Sequence, residues 1–181
     1  MATGCFRTMS TISIVVLFLS AVVIDLDTTS DQSVIINIVN QPTSVVLDIH
    51  ERYLYWANSG DGTIERSYTD GTERKAVIGQ GLDGPRSIVL DHLNGYIYWT
   101  DLLHIGRAKL DSLNIEILKN NTSHDPKGLT INSSKGIIYW TESLMGDNEG
   151  YWINVANANG SDPEKLWRFG FTEVDVYGKL G

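Results

Sequence analysis

Cysteine is almost missing from this chain. Cys5 is the only one in 181 residues, so an internal disulfide, a CxxC redox site and a thiolate zinc site are all excluded. Basic residues are also scarce: 14 Lys and Arg stand against 22 Asp and Glu, a formal net charge of −8, with no Lys/Arg cluster. That balance lacks the electrostatic footprint of a nucleic-acid binder. Only one long apolar run is present, and no stretch of the remaining chain carries the helical period of apolar residues. What is there is an ordinary globular composition, 42% apolar, with 5 Trp and 8 Tyr. Disorder, collagen and coiled coil are therefore excluded for most of the chain, and the length suits one domain.

The apolar run is Thr11 to Ile24, TISIVVLFLSAVVI, preceded by Arg7 and closed by Asp25. A weakly basic start, an uncharged run and then polar chain is the layout of a secretory signal peptide. As a helix the run covers roughly 21 Å, short of the ~30 Å hydrocarbon core, so a membrane span is the weaker reading. Residues 1–24 are therefore expected to be a signal peptide or signal anchor, with a buried strand as the third reading, and 25–33 a linker. Four Asn-x-Ser/Thr acceptors agree with a secretory, extracellular or cell-surface location: Asn120, Asn121, Asn132 and Asn159.

The body of the chain is a tandem repeat. Pro42-Thr-Ser-Val-Val-Leu-Asp48 leads to Tyr53-Leu-Tyr-Trp-Ala-Asn58, and Pro85-Arg-Ser-Ile-Val-Leu-Asp91 leads to Tyr96-Ile-Tyr-Trp-Thr-Asp101. A third unit runs from Pro126 through Gly128-Leu-Thr-Ile-Asn132 to Gly136-Ile-Ile-Tyr-Trp-Thr-Glu142. The tryptophans Trp56, Trp99 and Trp140 are spaced by 43 and 41 residues, and so are Pro42, Pro85 and Pro126. Two independent markers that drift by the same amount define a real period. Each unit continues through Ile-x-Arg or its counterpart, a turn at Asp70-Gly71, Asp111-Ser112 or Asn159-Gly160, and a last short strand. Four short antiparallel strands per period of about 42 residues is the signature of a propeller blade. Both faces of Tyr96-Ile-Tyr-Trp-Thr100 are apolar, as a sheet packed between two neighbours requires. The expected architecture is all-β: an incomplete ring of about three blades over 34–168, with units at about 42–79, 85–120 and 126–168. Val34 to Ile38 reads as the outer strand of a preceding blade, and 169–181 as the truncated start of a further repeat.

YWAN, YWTD and YWTE, each after a Leu-Asp-like strand and before Ile-x-Arg and Asp-Gly, resemble the class B (YWTD) repeats of the low-density lipoprotein receptor family. The resemblance covers roughly Val34 to Trp167. It implies a propeller that six such repeats close, normally followed by a cysteine-rich growth-factor-like module. This chain departs on both counts, with about three blades and no cysteine after Cys5. It also implies a non-enzymatic receptor or binding module with an extracellular protein ligand, in an endocytic or Wnt-type co-receptor role. Three blades leave two apolar sheet faces, and several hundred Å² of each at ~25 cal/mol/Å² amounts to on the order of 10 kcal/mol. Such faces call for further blades, self-association, or a fragment of a longer receptor.

Few residues are placed for chemistry. Gly79-Gln-Gly-Leu-Asp-Gly84 matches GxGxxG, but a strand follows it where a dinucleotide site needs a helix. Asn58-Ser-Gly-Asp-Gly62 lacks the carboxylate spacing of a calcium loop and reads as a turn. His50, His92, His104 and His124 show no metal spacing; acid sensing is their functional alternative to plain surface positions. No catalytic residue, metal or cofactor is expected. Tyr55, Trp56, Tyr98, Trp99, Tyr139 and Trp140 are expected in the core. Asp101 with Arg107, and Asn58 with Arg66, are expected to pin strands by hydrogen bonds. Arg86, His92, Asp101 and Glu142 are the candidate ligand-binding rim residues. The rival from another class is a metal-dependent hydrolase-like propeller built on Asp48, Asp91 and Asn132; a nonfunctional truncated fragment is the third reading.

Overall fold

The computed structural model describes 12–17, 20–25, 33–36, 40–79, 81–120, 125–143, 150–170 and 174–176, with side chains described from residue 40 to 167 within those ranges. All regular elements among them are strands. The first three are β1 (Ile12–Leu17), β2 (Ser20–Asp25) and β3 (Ser33–Ile36), which form one three-stranded antiparallel sheet. The first repeat supplies β4 (Pro42–Asp48), β5 (Tyr53–Asn58), β6 (Thr63–Tyr68) and β7 (Lys75–Ile78). The second supplies β8 (Ser87–Asp91), β9 (Tyr96–Thr100), β10 (Ile105–Lys109) and β11 (Ile115–Lys119). The third supplies β12 (Asp125–Asn132), β13 (Ile137–Ser143), β14 (Gly150–Asn157) and β15 (Glu164–Gly170), and β16 (Val174–Val176) adds to the outside of β15.

Within each repeat the strands pair in sequence order, so each repeat is one up-and-down sheet. The leading strands β1, β4, β8 and β12 lie one against the next. That succession sets four sheets radially about a common axis, as propeller blades stand. Side-chain hydroxyls stitch the leading strands together at equivalent points. Ser44 Oγ accepts from Ile88 N at 3.2 Å, and one repeat later Ser87 Oγ accepts from Leu129 N at 3.3 Å.

The two faces of each sheet have different partners, and the period-2 alternation of strands sorts them. Tyr55 and Ala57 of the first sheet meet Ile88, Ile97 and Trp99 of the second in one core. Tyr98 and Ile105 of the second sheet meet Leu129, Ile138 and Trp140 of the third in the next. The tyrosine of each YW pair therefore looks forward along the chain and the tryptophan looks back. Gly106, opposite Trp99 in the ladder, is required by this fit: a Cβ there would stand 2.3 Å from the indole ring.

Within the apolar amino-terminal run, Ile12–Leu17 and Ser20–Asp25 form an antiparallel strand pair. β3 pairs outside β2, as the outer strand expected for a preceding blade. Of the two apolar faces expected to be open, the backward face of the first sheet is covered: Leu54 and Trp56 are 0% exposed, and β1 lies beside β4. Among the described residues nothing covers the forward face of the third sheet, where Tyr139 is only half-buried and Tyr151 and Trp167 are exposed. Val174–Val176, within the stretch expected to open a further unit, pairs along the outside of β15.

Candidate binding rim

The leading strand of each of the three repeats ends in an acid or amide that caps the turn to the next strand. Asp48 Oδ1 accepts from the backbone N–H of His50 and of Glu51, both at 3.0 Å. Asp91 accepts from Asn94 N at 3.2 Å and Asn94 Nδ2 at 2.8 Å. Asn132 Oδ1 accepts from Ser134 Oγ at 2.9 Å and Lys135 N at 3.1 Å. The three residues proposed for a central metal are thus local turn caps. Among the described residues no cluster of three His, Cys, Asp or Glu is placed to hold an ion.

The rim residues separate onto two ends of the blades. Ser87 pairs with Thr100 and Pro126 with Glu142, so Arg86, Asp101 and Glu142 share one end. His92 follows Asp91 at the opposite end. On the first end, Asp101 is 1% exposed and accepts from Leu103 N at 2.9 Å, His104 N at 2.7 Å and His104 Nδ1 at 3.1 Å. Glu142 is also 1% exposed; it receives the Trp140 indole N–H at 2.8 Å and the Lys119 ammonium. These two carboxylates, expected to meet a ligand, are turned inward and satisfied. One methylene explains their different partners: the longer Glu142 reaches the indole beside it. At the equivalent positions Asn58 and Asp101 do not, and the Trp56 and Trp99 indole nitrogens stay unpaired. Arg86 is paired to Asp125 at 2.8 Å, and thereby ties the second sheet to the third.

The expected pairing of Asp101 with Arg107 does not form. Arg107 lies opposite Tyr98, on the forward face, whereas Asp101 closes the β9–β10 turn. Arg107 instead forks onto Glu116 at 3.0 and 2.7 Å, and donates across the blade junction to the Ala158 carbonyl at 2.9 Å. Asn58 donates to Glu65, not to Arg66, which stacks 4.2 Å over Tyr53 and donates to the Tyr55 hydroxyl at 3.3 Å. Burial pushes the Tyr55 and Tyr98 hydroxyls above their ordinary 10.0, with the hydrogen bonds from Arg66 and Arg107 pulling back. Burial pulls Arg107 down, but Glu116 and Tyr98 outweigh it and hold the guanidinium above its ordinary value.

The opposite end carries the more exposed apolar side chains, although Leu102 and Leu103 beside Asp101 are exposed as well. Ile49 is 68% and Leu93 71% exposed, the most exposed large apolar side chains described. Ile49 is the first and Leu93 the second residue of a turn that a capping Asp closes. Between them His50 and His92 meet edge to face with ring centroids 5.8 Å apart, and His92 Nδ1 lies 3.6 Å from Asp48 Oδ2. His92 was legible as a candidate; Ile49 and Leu93 were not. The signal for them was an apolar residue within two positions of the strand-ending Asp in two units, Asp48-Ile49-His50 and Asp91-His92-Leu93, where the third has Asn132-Ser133-Ser134. Of the glycosylation candidates, Asn120 and Asn159 are exposed and Asn132 is half-buried in its turn. Asn121 and His124 lie outside the described residues.

Radial four-stranded sheets joined through leading strands and back-to-back aromatic faces define a β-propeller segment. Residues 52–92 match the low-density lipoprotein receptor repeat class B, so the repeats are of that class. The cueball protein of Drosophila grimshawi is 33% identical over 136 residues, 68% of this chain and 22% of that protein. Cueball of Drosophila willistoni is 32% identical over 108 residues, 56% of this chain and 16% of that protein. The chain thus spans about a fifth of the length of these relatives. Among solved structures, one from a nidogen/laminin complex superposes with a TM-score of 0.73 at 23% identity, covering 88% of this chain and 61% of that one. A Kuenenia stuttgartiensis hydrazine synthase chain superposes at 0.64 and 15% identity, over 81% and 43%. Blades of this shape therefore also occur in an enzyme, and the fold alone does not assign activity.

Proposed function

We propose that this chain is a non-enzymatic extracellular binding module, in which stacked class B blades hold a protein-recognition rim. One observation carries the reading: the rim formed by Ile49, His50, His92 and Leu93 exposes apolar and imidazole groups on turns that buried aspartates fix. The rest of the polar machinery is spent internally. Asp101 and Glu142 cap and brace, and Arg107 locks two sheets together. A rigid scaffold that fixes a few protruding apolar side chains suits recognition, since little ordering entropy is lost on binding. Its ligand is an extracellular protein, and an endocytic or co-receptor role follows the class of the repeats. The chain reaches that side by the secretory route, with Asn120 and Asn159 as exposed glycan acceptors. The open forward face of the third sheet takes further blades or a second copy.

The rim is tested by immobilising the wild-type chain and an Ile49→Asp/Leu93→Asp variant, then passing laminin and an extracellular-matrix extract over both. Both side chains are exposed, so the variant retains its fold. Retention of a protein by the wild type and at least about tenfold weaker retention by the variant supports the rim. Equal retention by both, or none by either, removes it.

A further inference from the structure

The turns that lead from the third strand of each repeat to the fourth are built alike. Thr69 N donates to Arg52 O at 3.0 Å, Leu110 N to Gly95 O at 3.0 Å and Ala158 N to Gly136 O at 2.8 Å, so the three residues are equivalent. Leu110 packs into the junction between the first and second sheets, against the core that Tyr53 and Tyr55 join. Ala158 packs in the next junction, with Tyr96 and Tyr98, and lacks the branched end of that leucine. A cleft of about 370 Å³ lies there, bordered by Asn94, Tyr96, Tyr98, Arg107, Asn157 and Asn159 among others. Small-ligand sites span roughly 300–1,000 Å³, so the cleft is large enough to hold one.

The charged groups around the cleft are already engaged. Asp91 accepts from Asn94 through both of its oxygens, and the Arg107 guanidinium donates to Glu116 and to the Ala158 carbonyl. An ionic ligand therefore meets no spare counter-charge. Neutral groups remain. Asn94 and Asn157 give their amide nitrogens to Asp91, Ser161 and Asp162, which leaves their amide oxygens as acceptors among the described residues. Phenol rings beside neutral amides suit a ligand with an apolar face and a rim of O–H and N–H donors, as an N-acetylhexosamine has. The lining itself supplies the means of delivering one. Asn159-Gly160-Ser161 is an N-glycosylation triplet, and of the described acceptors Asn159 alone borders the cleft. Its Oδ1 accepts from Ser161 N at 3.0 Å, while its Nδ2, the atom that carries a glycan, makes no hydrogen bond among the described residues. Gly160 holds the turn in place: its φ is +84°, and a Cβ there would stand 3.0 Å from Leu118.

We propose that the cleft left by Ala158 cradles the first N-acetylglucosamine of a glycan on Asn159. The sugar takes the space that the Leu110 side chain fills one repeat earlier, and the amide oxygens of Asn94 and Asn157 receive its hydroxyl or acetamido hydrogens. A docked sugar makes the glycan part of the junction between the second and third sheets. The cradle rests on the secretory route proposed above, and it does not depend on ligand binding at the Ile49–Leu93 rim.

The test is to produce the full chain in cultured mammalian cells and follow its glycopeptides by mass spectrometry during PNGase F digestion of native and of heat-unfolded protein. The expected result is an occupied Asn159 whose glycan leaves the native chain at least about tenfold more slowly than the unfolded one. Ala158→Leu installs the residue of the second repeat and fills the cleft, so it should abolish that protection. Asn94→Ala, at the exposed mouth, is the second variant and should weaken it; circular dichroism checks that both fold. Equal release from native and unfolded wild type overturns the cradle, as does protection that both variants keep in full. A bare Asn159 beside another occupied acceptor overturns the cradle alone. Bare acceptors throughout overturn it together with the secretory reading.

Discussion

Tyr55 and Tyr98 show how a repeat converts one sequence position into one physical environment. Both point forward into a blade junction, are about 1% exposed, and carry an arginine on the hydroxyl side. Because burial raises both hydroxyls above 10.0, the folded state holds these protons more tightly than the unfolded chain does. Their contribution to stability is complete below the unfolded value and is lost as pH rises through the folded one. Urea midpoints should therefore fall from pH 9 to pH 11. Replacing both tyrosines by phenylalanine should flatten that fall; an unchanged slope would show that other groups drive it. Tyr139 occupies the same repeat position but is half-buried, since among the described residues no sheet covers it. Sequence assigned all three tyrosines to the core, and the third differs only because its neighbour is absent from the described residues.

At the scale of the strand, the pairing register decided what spacing could not. Asp101 with Arg107 and Asn58 with Arg66 recur at offsets of 6 and 8, which suggested a bond, yet the ladder puts Arg107 beside Tyr98 and Asp101 in the turn. Arg107 therefore serves the junction between β10, β11 and the third sheet. Arg107→Met keeps most of the stem and deletes the fork to Glu116 and the donor to the Ala158 carbonyl. Glu116 is partly solvated, which discounts its ion pair. The loss expected is about 1–2 kcal/mol in urea unfolding. Glu116→Gln should cost less, because the cross-blade bond to Ala158 survives. Equal costs for the two would place the whole effect in the ion pair.

For the molecule as a whole, the unequal treatment of its two ends matters most. The amino-terminal strands lie against the first repeat sheet, whose Leu54 and Trp56 are fully buried. The last sheet presents Tyr139, Tyr151, Ile153 and Trp167 on an open face. Exposed apolar surface of that kind drives association. Light scattering should show a mass that rises with concentration, and Ile153→Asp should shift the chain toward monomer. A wild-type mass that stays monomeric across the concentration range would mean the face is closed within the chain.

The sequence by itself determined the period, the four-strand unit, the class of repeat and the buried tryptophans. These follow from local alternation and from two markers, Trp and Pro, that drift together. The tertiary structure alone decided where the apolar amino-terminal run goes, since a strand and a targeting segment of that length read alike in composition. It also decided which acids face inward and which turns carry exposed side chains. Those choices depend on register and on which sheet stands next to which. Such relations join residues about 40 positions apart, and no local pattern records them.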